Sequence, residues 1–153
     1  MDSLTKFAVV VIAIPSAVAL LEHALNKIGG GAFLWRDKEC MPRELHTASI
    51  FMNEEPISCL KPIPIHGQVD QVFHTSRGKL IPLDTKTRAH HSIYESDIVQ
   101  LSTYAVALRQ MFPGMPVPHG YIRTVIVGHG FKSVRYHRVK LLSESQVVRI
   151  ATS

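Results

Sequence analysis

The sequence predicts an α/β fold, a central mixed β-sheet flanked by α-helices. Three observations predict it. Two runs rich in β-branched and apolar residues, 65–73 and 80–87, lie on either side of Ser76-Arg77-Gly78 and read as a hairpin. Ile98, Leu101, Ala105, Leu108 and Phe112 recur at helical spacing, so a helix opens near Glu95 and runs to about Phe112, where Pro113-Gly114 stops it. Two more strand-like runs, 120–127 and 133–142, surround Gly128-His129-Gly130. The expected order is a helix, three or so strands, the helix packed across the sheet, and two final strands.

The hairpin carries the chemistry. Asp70 lies on its first strand, and Asp84 and Lys86 lie on its second. Side chains alternate along a strand, so Asp84 and Lys86 project from one face. If Asp70 pairs near Asp84, two carboxylates and an ammonium converge. The like charges repel unless a cation lies between them. Two carboxylates suit a hard divalent cation. Such a cation polarises phosphate and acidifies water, while Lys86 offsets transition-state charge.

The helix adds Asp97, Gln100 and Tyr104 as a stripe at i, i+3 and i+7. Asp97 also fits an N-cap with Gln100 reaching back to it.

These residues resemble a known family. Gly67-Gln68-Val69-Asp70, then Asp84-Thr85-Lys86, then Gln100-Leu101-Ser102-Thr103-Tyr104 resemble the motifs of the PD-(D/E)XK nuclease superfamily. More narrowly they resemble its RecB-like branch, which includes the CRISPR-associated exonucleases. The resemblance covers roughly residues 64–142 and implies a restriction-endonuclease-like core. It implies that Asp70 and Asp84 bind Mg²⁺ or Mn²⁺, that Lys86 is catalytic, and that Gln100 and Tyr104 line the site and contact the DNA strand. The branch often carries a further histidine ligand on a helix before the first strand. His46 is the candidate, with Glu44 as second choice. Many CRISPR-associated relatives also hold an iron–sulfur cluster on four cysteines. This chain has only Cys40 and Cys59, which departs from that pattern.

Length and composition suit one small domain of 153 residues. Two cysteines make no disulfide framework, so reduced thiols in the cytoplasm are the simpler expectation. His90-His91 read as a polar, solvated loop. Charge is uneven. Residues 1–119 hold 11 Lys/Arg against 11 Asp/Glu, so the net charge of +5 lies in the last 34 residues. Arg135, Arg138 and Lys140 therefore form a basic ribbon suited to a phosphate backbone, with Arg88, just past Lys86, as a further nucleic-acid contact. Val134 and Tyr136 fall out of phase with Val139 and Leu141, which predicts a bulge near His137 or Arg138.

Residues 1–31 form a separate unit ahead of a domain at 32–153, with Gly29-Gly30-Gly31 as hinge. Residues 7–21 are apolar apart from Ser16, with Pro15 in the middle. Three readings are open. As a membrane helix, the run rises only about 22 Å against a hydrocarbon core of about 30 Å, although extension to Leu4 helps. As a signal peptide, it has Lys6 before it and Ala17-Val18-Ala19 as an A-x-A-like site. As a buried helix, Pro15 kinks it. Lys27, Arg36, Lys38 and Arg43 follow the run, which favours an anchor through residues 4–21 with the domain kept in the cytoplasm.

The expected function is metal-dependent hydrolysis of DNA phosphodiester bonds, with a single-strand exonuclease as one form. The alternatives are a non-catalytic nucleic-acid-binding or assembly module that retains the nuclease fold, and a membrane-tethered scaffold.

Overall fold

The structure, a computed structural model, describes residues 9–10 and 32–153. A short strand β1 (Val9–Val10) precedes two helices, α1 (Ala32–Lys38) and α2 (Arg43–His46). Three strands follow: β2 (Ser49–Cys59), β3 (Ile65–His74) and β4 (Leu80–Thr87). Helix α3 (Glu95–Met111) leads to β5 (Gly120–Gly128) and β6 (Phe131–Val139), and α4 (Glu144–Thr152) closes the order. This is the α/β fold expected, with helices flanking a mixed sheet.

β3 organises the sheet. On one edge it pairs with β2 from Ser49↔His74 to Cys59↔Ile65. Its other edge is shared. β4 takes the C-terminal part, Gln71↔Leu83 to His74↔Leu80, and β1 runs parallel to Ile65 and His66. Between them, positions 67–70 have no strand on that edge among the described residues. β5 lies parallel to β4, from Leu83↔Tyr121 to Thr87↔Val125, and β6 is antiparallel to β5. Joining the parallel strands β4 and β5 requires a crossover, and α3 supplies it.

The two faces are covered differently. On one, Tyr104, Ala105 and Leu108 of α3 pack with Met52, Ile57, Ile65, Val72 and Leu80, and Val147 of α4 joins the same cluster. Each Met, Ile, Val or Leu side chain among them contributes about 1.5–3 kcal/mol when fully buried. On the other, Met41, Leu45 and Ala48 pack against Phe73, Ile81, Leu83 and Tyr121. Arg36 fixes the α2 end of that layer. Its Nη1 donates to the carbonyls of His46 at 2.7 Å and Ala48 at 2.9 Å, groups a helix end leaves without partners.

Several expectations are corrected. β6 pairs with β5 in unbroken register from Gly120↔Val139 to Gly128↔Phe131, so the bulge near His137 or Arg138 is not there. Val134 and Tyr136 share one face of β6, and Val139 takes the other because both faces of this strand are partly covered. Helix α4 was not expected. Its cue is Ser143 followed by Gln146, whose side chains and backbone exchange hydrogen bonds at 3.2 and 2.9 Å as a capping box. Asp97 sits one turn inside α3 rather than at its N-cap. The cap is Tyr94, whose N–H donates to Asp97 Oδ2 at 2.8 Å. Of the apolar 7–21 run, Val9 and Val10 are extended, and the rest lies outside the described residues, as does the Gly29-Gly30-Gly31 hinge. No helix among the described residues is long and apolar enough to cross a membrane.

Candidate active site

The site forms where β3 and β4 part. Their ladder ends at Gln71↔Leu83. One step further, the Thr85 N–H donates to the side chain of Asp70, Oδ2, at 2.7 Å. A carboxylate has replaced a backbone carbonyl as acceptor, and it stands in the fork beside Asp84. Asp84 itself is 2 % exposed.

Lys86, two residues on, lies on the same face of β4. Its Nζ is 2.9 Å from Asp84 Oδ2 and donates to Gln100 Oε1 at 2.8 Å. The contact to Asp84 is an ion pair off the hydrogen-bonding direction, so Asp84 Oδ2 is buried without a hydrogen bond. Gln100 Nε2 donates to Tyr104 Oη at 2.8 Å. Lys86, Gln100 and Tyr104 thus form one chain of contacts from strand to helix. Gly67 makes room for it: a Cβ there lies 2.9 Å from Cε1 of the Tyr104 ring. The strand glycine is required for close approach of the aromatic.

The electrostatics are unbalanced. Burial first, then the charge of Asp84, pushes Asp70 up to about 6 against the pull of the Thr85 N–H and Lys86. Burial also pushes Asp84 upward, and Lys86 opposes this without cancelling it. Burial raises Tyr104, with both carboxylates adding to the rise. Among the described residues, Lys86 is the cation that acts on both carboxylates, with Arg88 adding a smaller pull on Asp84, and together they do not offset burial.

Sequence reasoning missed Glu54. In the β2–β3 register it falls opposite Asp70, between Asn53↔Gln71 and Glu55↔Val69. Its φ is +53°, the left-handed region that non-glycine residues seldom occupy. Its charge adds to the upward push on Asp70. Asn53-Glu54-Glu55-Pro56 reads as a strand break by composition, and that was the available signal.

Four expected site residues are placed elsewhere or otherwise engaged. His46 does not reach the carboxylates. It follows Leu45 on α2, which packs on Leu83, and Leu83 faces away from Asp84 by strand alternation. His46 Nε2 is 2.7 Å from Asp37 Oδ1. Glu44, the second choice, accepts from Tyr121 Oη and pairs with His119 Nε2 at 2.8 Å. Arg88 is committed to Asp97 by two hydrogen bonds of 2.7 Å and to the Ser92 carbonyl at 2.6 Å, with its guanidinium 4.3 Å from the Tyr94 ring centre. Arg138 points to the α2 face, with Nη2 3.2 Å from His119 Nδ1 and Nε 4.0 Å from Glu44. Arg135, by alternation, belongs to the face of Asp84 and Lys86, and Lys140 is exposed just beyond β6.

His91 is not a solvated loop residue either. Its ring nitrogens are 2.8 Å from Thr124 Oγ1 and 2.8 Å from Ser133 Oγ, while His90 is exposed. Cys40 and Cys59 are both free thiols.

Among the described residues, no three His, Cys, Asp or Glu side chains are grouped as a metal cage. A site made by one or two carboxylates, with water and substrate phosphate completing the shell, is the usual form for Mg²⁺. The donors here are all oxygen, one of them a buried carboxylate oxygen without a hydrogen bond, and they fit a hard cation.

No protein-family model matches the chain, and no curated protein matches it. Among solved structures it is similar to the protein described as "Crystal structure of SSO0001", with a TM-score of 0.48 and 16% sequence identity. The match covers 90% of this chain and 59% of that one, so this chain spans less than two thirds of that protein's length.

Proposed function

We propose that this chain is a divalent-metal-dependent nuclease that hydrolyses DNA phosphodiester bonds, with the PD-(D/E)XK arrangement on a restriction-endonuclease-like core. The observation that carries the reading is the under-neutralised carboxylate pair. Asp84 is buried and Asp70 half-buried in the fork of β3 and β4, with Lys86 as their shared cation and Asp84 Oδ2 without a hydrogen bond among the described residues. A buried carboxylate normally finds a partner or takes up a proton. A carboxylate pair held this way is a receptor for positive charge.

Asp70 and Asp84 would hold the cation, Mg²⁺ or Mn²⁺. When bound, such an ion supplies Lewis-acid stabilisation of phosphate and acidifies water for attack on phosphorus. The chain's own residues do the rest. Lys86 presents its ammonium at the mouth of the pair, where negative charge builds on the phosphoryl oxygens. Gln100 fixes that ammonium by accepting one of its protons, and Tyr104 fixes Gln100 by accepting in turn. Thr85 N–H holds Asp70 in place. Gly67 lets the Tyr104 ring approach. Each contact limits the rotamers of Lys86 before substrate arrives, which is how positioning lowers a barrier.

The test is incubation of the purified protein with labelled single- and double-stranded DNA, with Mn²⁺ and with EDTA. Cleavage that requires Mn²⁺ is the expected outcome. DNA binding with no cleavage in Mn²⁺ favours a non-catalytic module on the same fold.

A further inference from the structure

β5 and β6 carry four basic side chains, and three of them are answered by acids on the α1–α2 side. Arg123 pairs with Glu39 through two nitrogens, Lys132 Nζ lies 2.9 Å from Glu39 Oε1, and Arg138 approaches Glu44 and His119. Arg135 is the fourth. It is exposed, it has no ion pair or side-chain hydrogen bond among the described residues, and strand alternation sets it on the opposite face from those acids. That face is the one bearing Asp84 and Lys86. The registers Lys86↔Thr124 and Thr124↔Arg135 draw a straight line across three strands. Two strand spacings make about 10 Å from Lys86 to Arg135.

The surface between them is built. Thr124 is fully buried, and its hydroxyl is 2.8 Å from His91 Nδ1 and 2.9 Å from His137 Nε2. The second nitrogen of His91 is 2.8 Å from Ser133 Oγ. One proton per bond satisfies the whole chain. In the tautomer pair that leaves His137 Nδ1–H free, Ser133 donates to His91 Nε2, His91 Nδ1 donates to Thr124, and Thr124 donates to His137 Nε2; the opposite pair reverses every direction. In that arrangement His137 Nδ1–H is the donor beside Arg135. Burial, with Arg135 and His91 close by, pushes His137 below its usual range. His91 also ties the segment between β4 and α3 down onto β5 and β6, next to the start of the helix that carries Gln100.

We propose that Arg135 and His137 form a phosphate subsite for the part of a nucleic-acid strand not being cut, about 10 Å along the sheet from Asp84 and Lys86, braced by Ser133, His91 and Thr124. A charged guanidinium and a neutral N–H donor recognise the phosphodiester, and neither reads a base. The subsite rests on the nuclease reading for its substrate, but it is tested without chemistry.

The experiment is binding of a labelled single-stranded oligonucleotide in EDTA across a salt series, with Arg135→Ala, Arg135→Lys and Arg138→Ala. Arg135→Ala is expected to weaken binding roughly three- to tenfold and to flatten log K against log salt by about 0.7, one contact on a single strand. Arg135→Lys keeps the parental slope. Arg138→Ala, on the other face, leaves affinity and slope as in the parent. Equal losses from both alanine variants, an unchanged Arg135→Ala, a slope not restored by lysine, or no binding by the parent each overturn the subsite. Parental cleavage in Mn²⁺ is scored separately. The arginine asymmetry without cleavage removes the nuclease reading alone, and cleavage without the asymmetry removes the subsite alone.

Discussion

Both faces of the sheet bury carboxylates, and they treat them oppositely. On the α1–α2 face, Glu39 accepts from both Arg123 and Lys132 and from Tyr136 Oη at 2.8 Å. Burial raises its pKa, but those donors outweigh burial and hold it below the ordinary carboxylate range. On the α3 face, Asp70 and Asp84 share Lys86, and burial prevails. Asp97 lies on that face too, yet Arg88 and the Tyr94 N–H overcome its burial and keep it below the usual range. The contrast is therefore not between faces but between numbers of donors. A carboxylate with all the donors it can use holds the fold together. A pair with too few is costly to the fold, as a cation site of the kind proposed would be before the cation binds.

The largest expected effect breaks the deficient pair. Asp84→Asn keeps the shape and removes the charge. Cleavage should fall at least about 10²–10³-fold, while the melting temperature stays level or rises. An Asn variant that cuts DNA at the parental rate would remove Asp84 from the metal site.

Next is the shared cation. Lys86→Ala should lower kcat and kcat/KM together, by about 10²-fold or more, because the ammonium acts where charge develops. A rise in KM with kcat intact would reduce Lys86 to a substrate-binding charge.

The satisfied carboxylate should respond the other way. Glu39→Gln removes the buried counter-charge that Glu39 supplies to Arg123, so up to about 3–5 kcal/mol of stability is lost, a fall of up to roughly 10 °C in melting temperature. Calorimetry on the variant checks it. A small change there would mean that donor number does not separate Glu39 from the Asp70–Asp84 pair as described.

The smallest effect sharpens the comparison through pH. The folded chain holds the Asp70 proton more tightly than the unfolded chain does. The stabilisation from this group is therefore full below about 3.8, declines as pH rises, and is gone above about 6. Its size is on the order of 3 kcal/mol. Melting curves of the parent and Asp70→Asn across pH 4–8 measure it, on a scale of roughly 2–4 °C per kcal/mol. The parent-minus-variant difference should drop between about pH 4 and 6 and then level off. Added Mg²⁺ should raise the parent's melting temperature above pH 6 and leave the variant's nearly unmoved. A difference that is flat with pH would show that Asp70 is not strained by its surroundings.

Much of the candidate site was legible because its cues are local. Asp84 and Lys86 are two residues apart on a strand, and Gln100 and Tyr104 are one helical turn apart, so period alone placed each pair together. The turn at Ser76-Arg77-Gly78 brought Asp70 back towards Asp84. His46 misled because a helix before the strands has two faces of the sheet to choose from, and Leu45 chose the face of Leu83. Arg138 misled by parity: the expected bulge would have put it beside Arg135, and the regular ladder puts it opposite. Glu54 was overlooked because an acidic stretch ending in proline resembles a break, and the β2–β3 ladder overrides that composition.

The sequence by itself determined the alternation of strands and helix, the hairpin, and which residues share a strand or helix face, because those depend on neighbours a few positions away. Only the tertiary structure decided which charges are answered. Arg123 reaches Glu39 across 84 positions, and Thr85 reaches Asp70 across 15 at the point where two strands separate. Whether a buried carboxylate is neutral, paired or waiting for a cation depends on the donors that packing brings within about 3 Å. Among the described residues, packing brought donors from Arg123, Lys132 and Tyr136 to Glu39 and only Lys86 to Asp84.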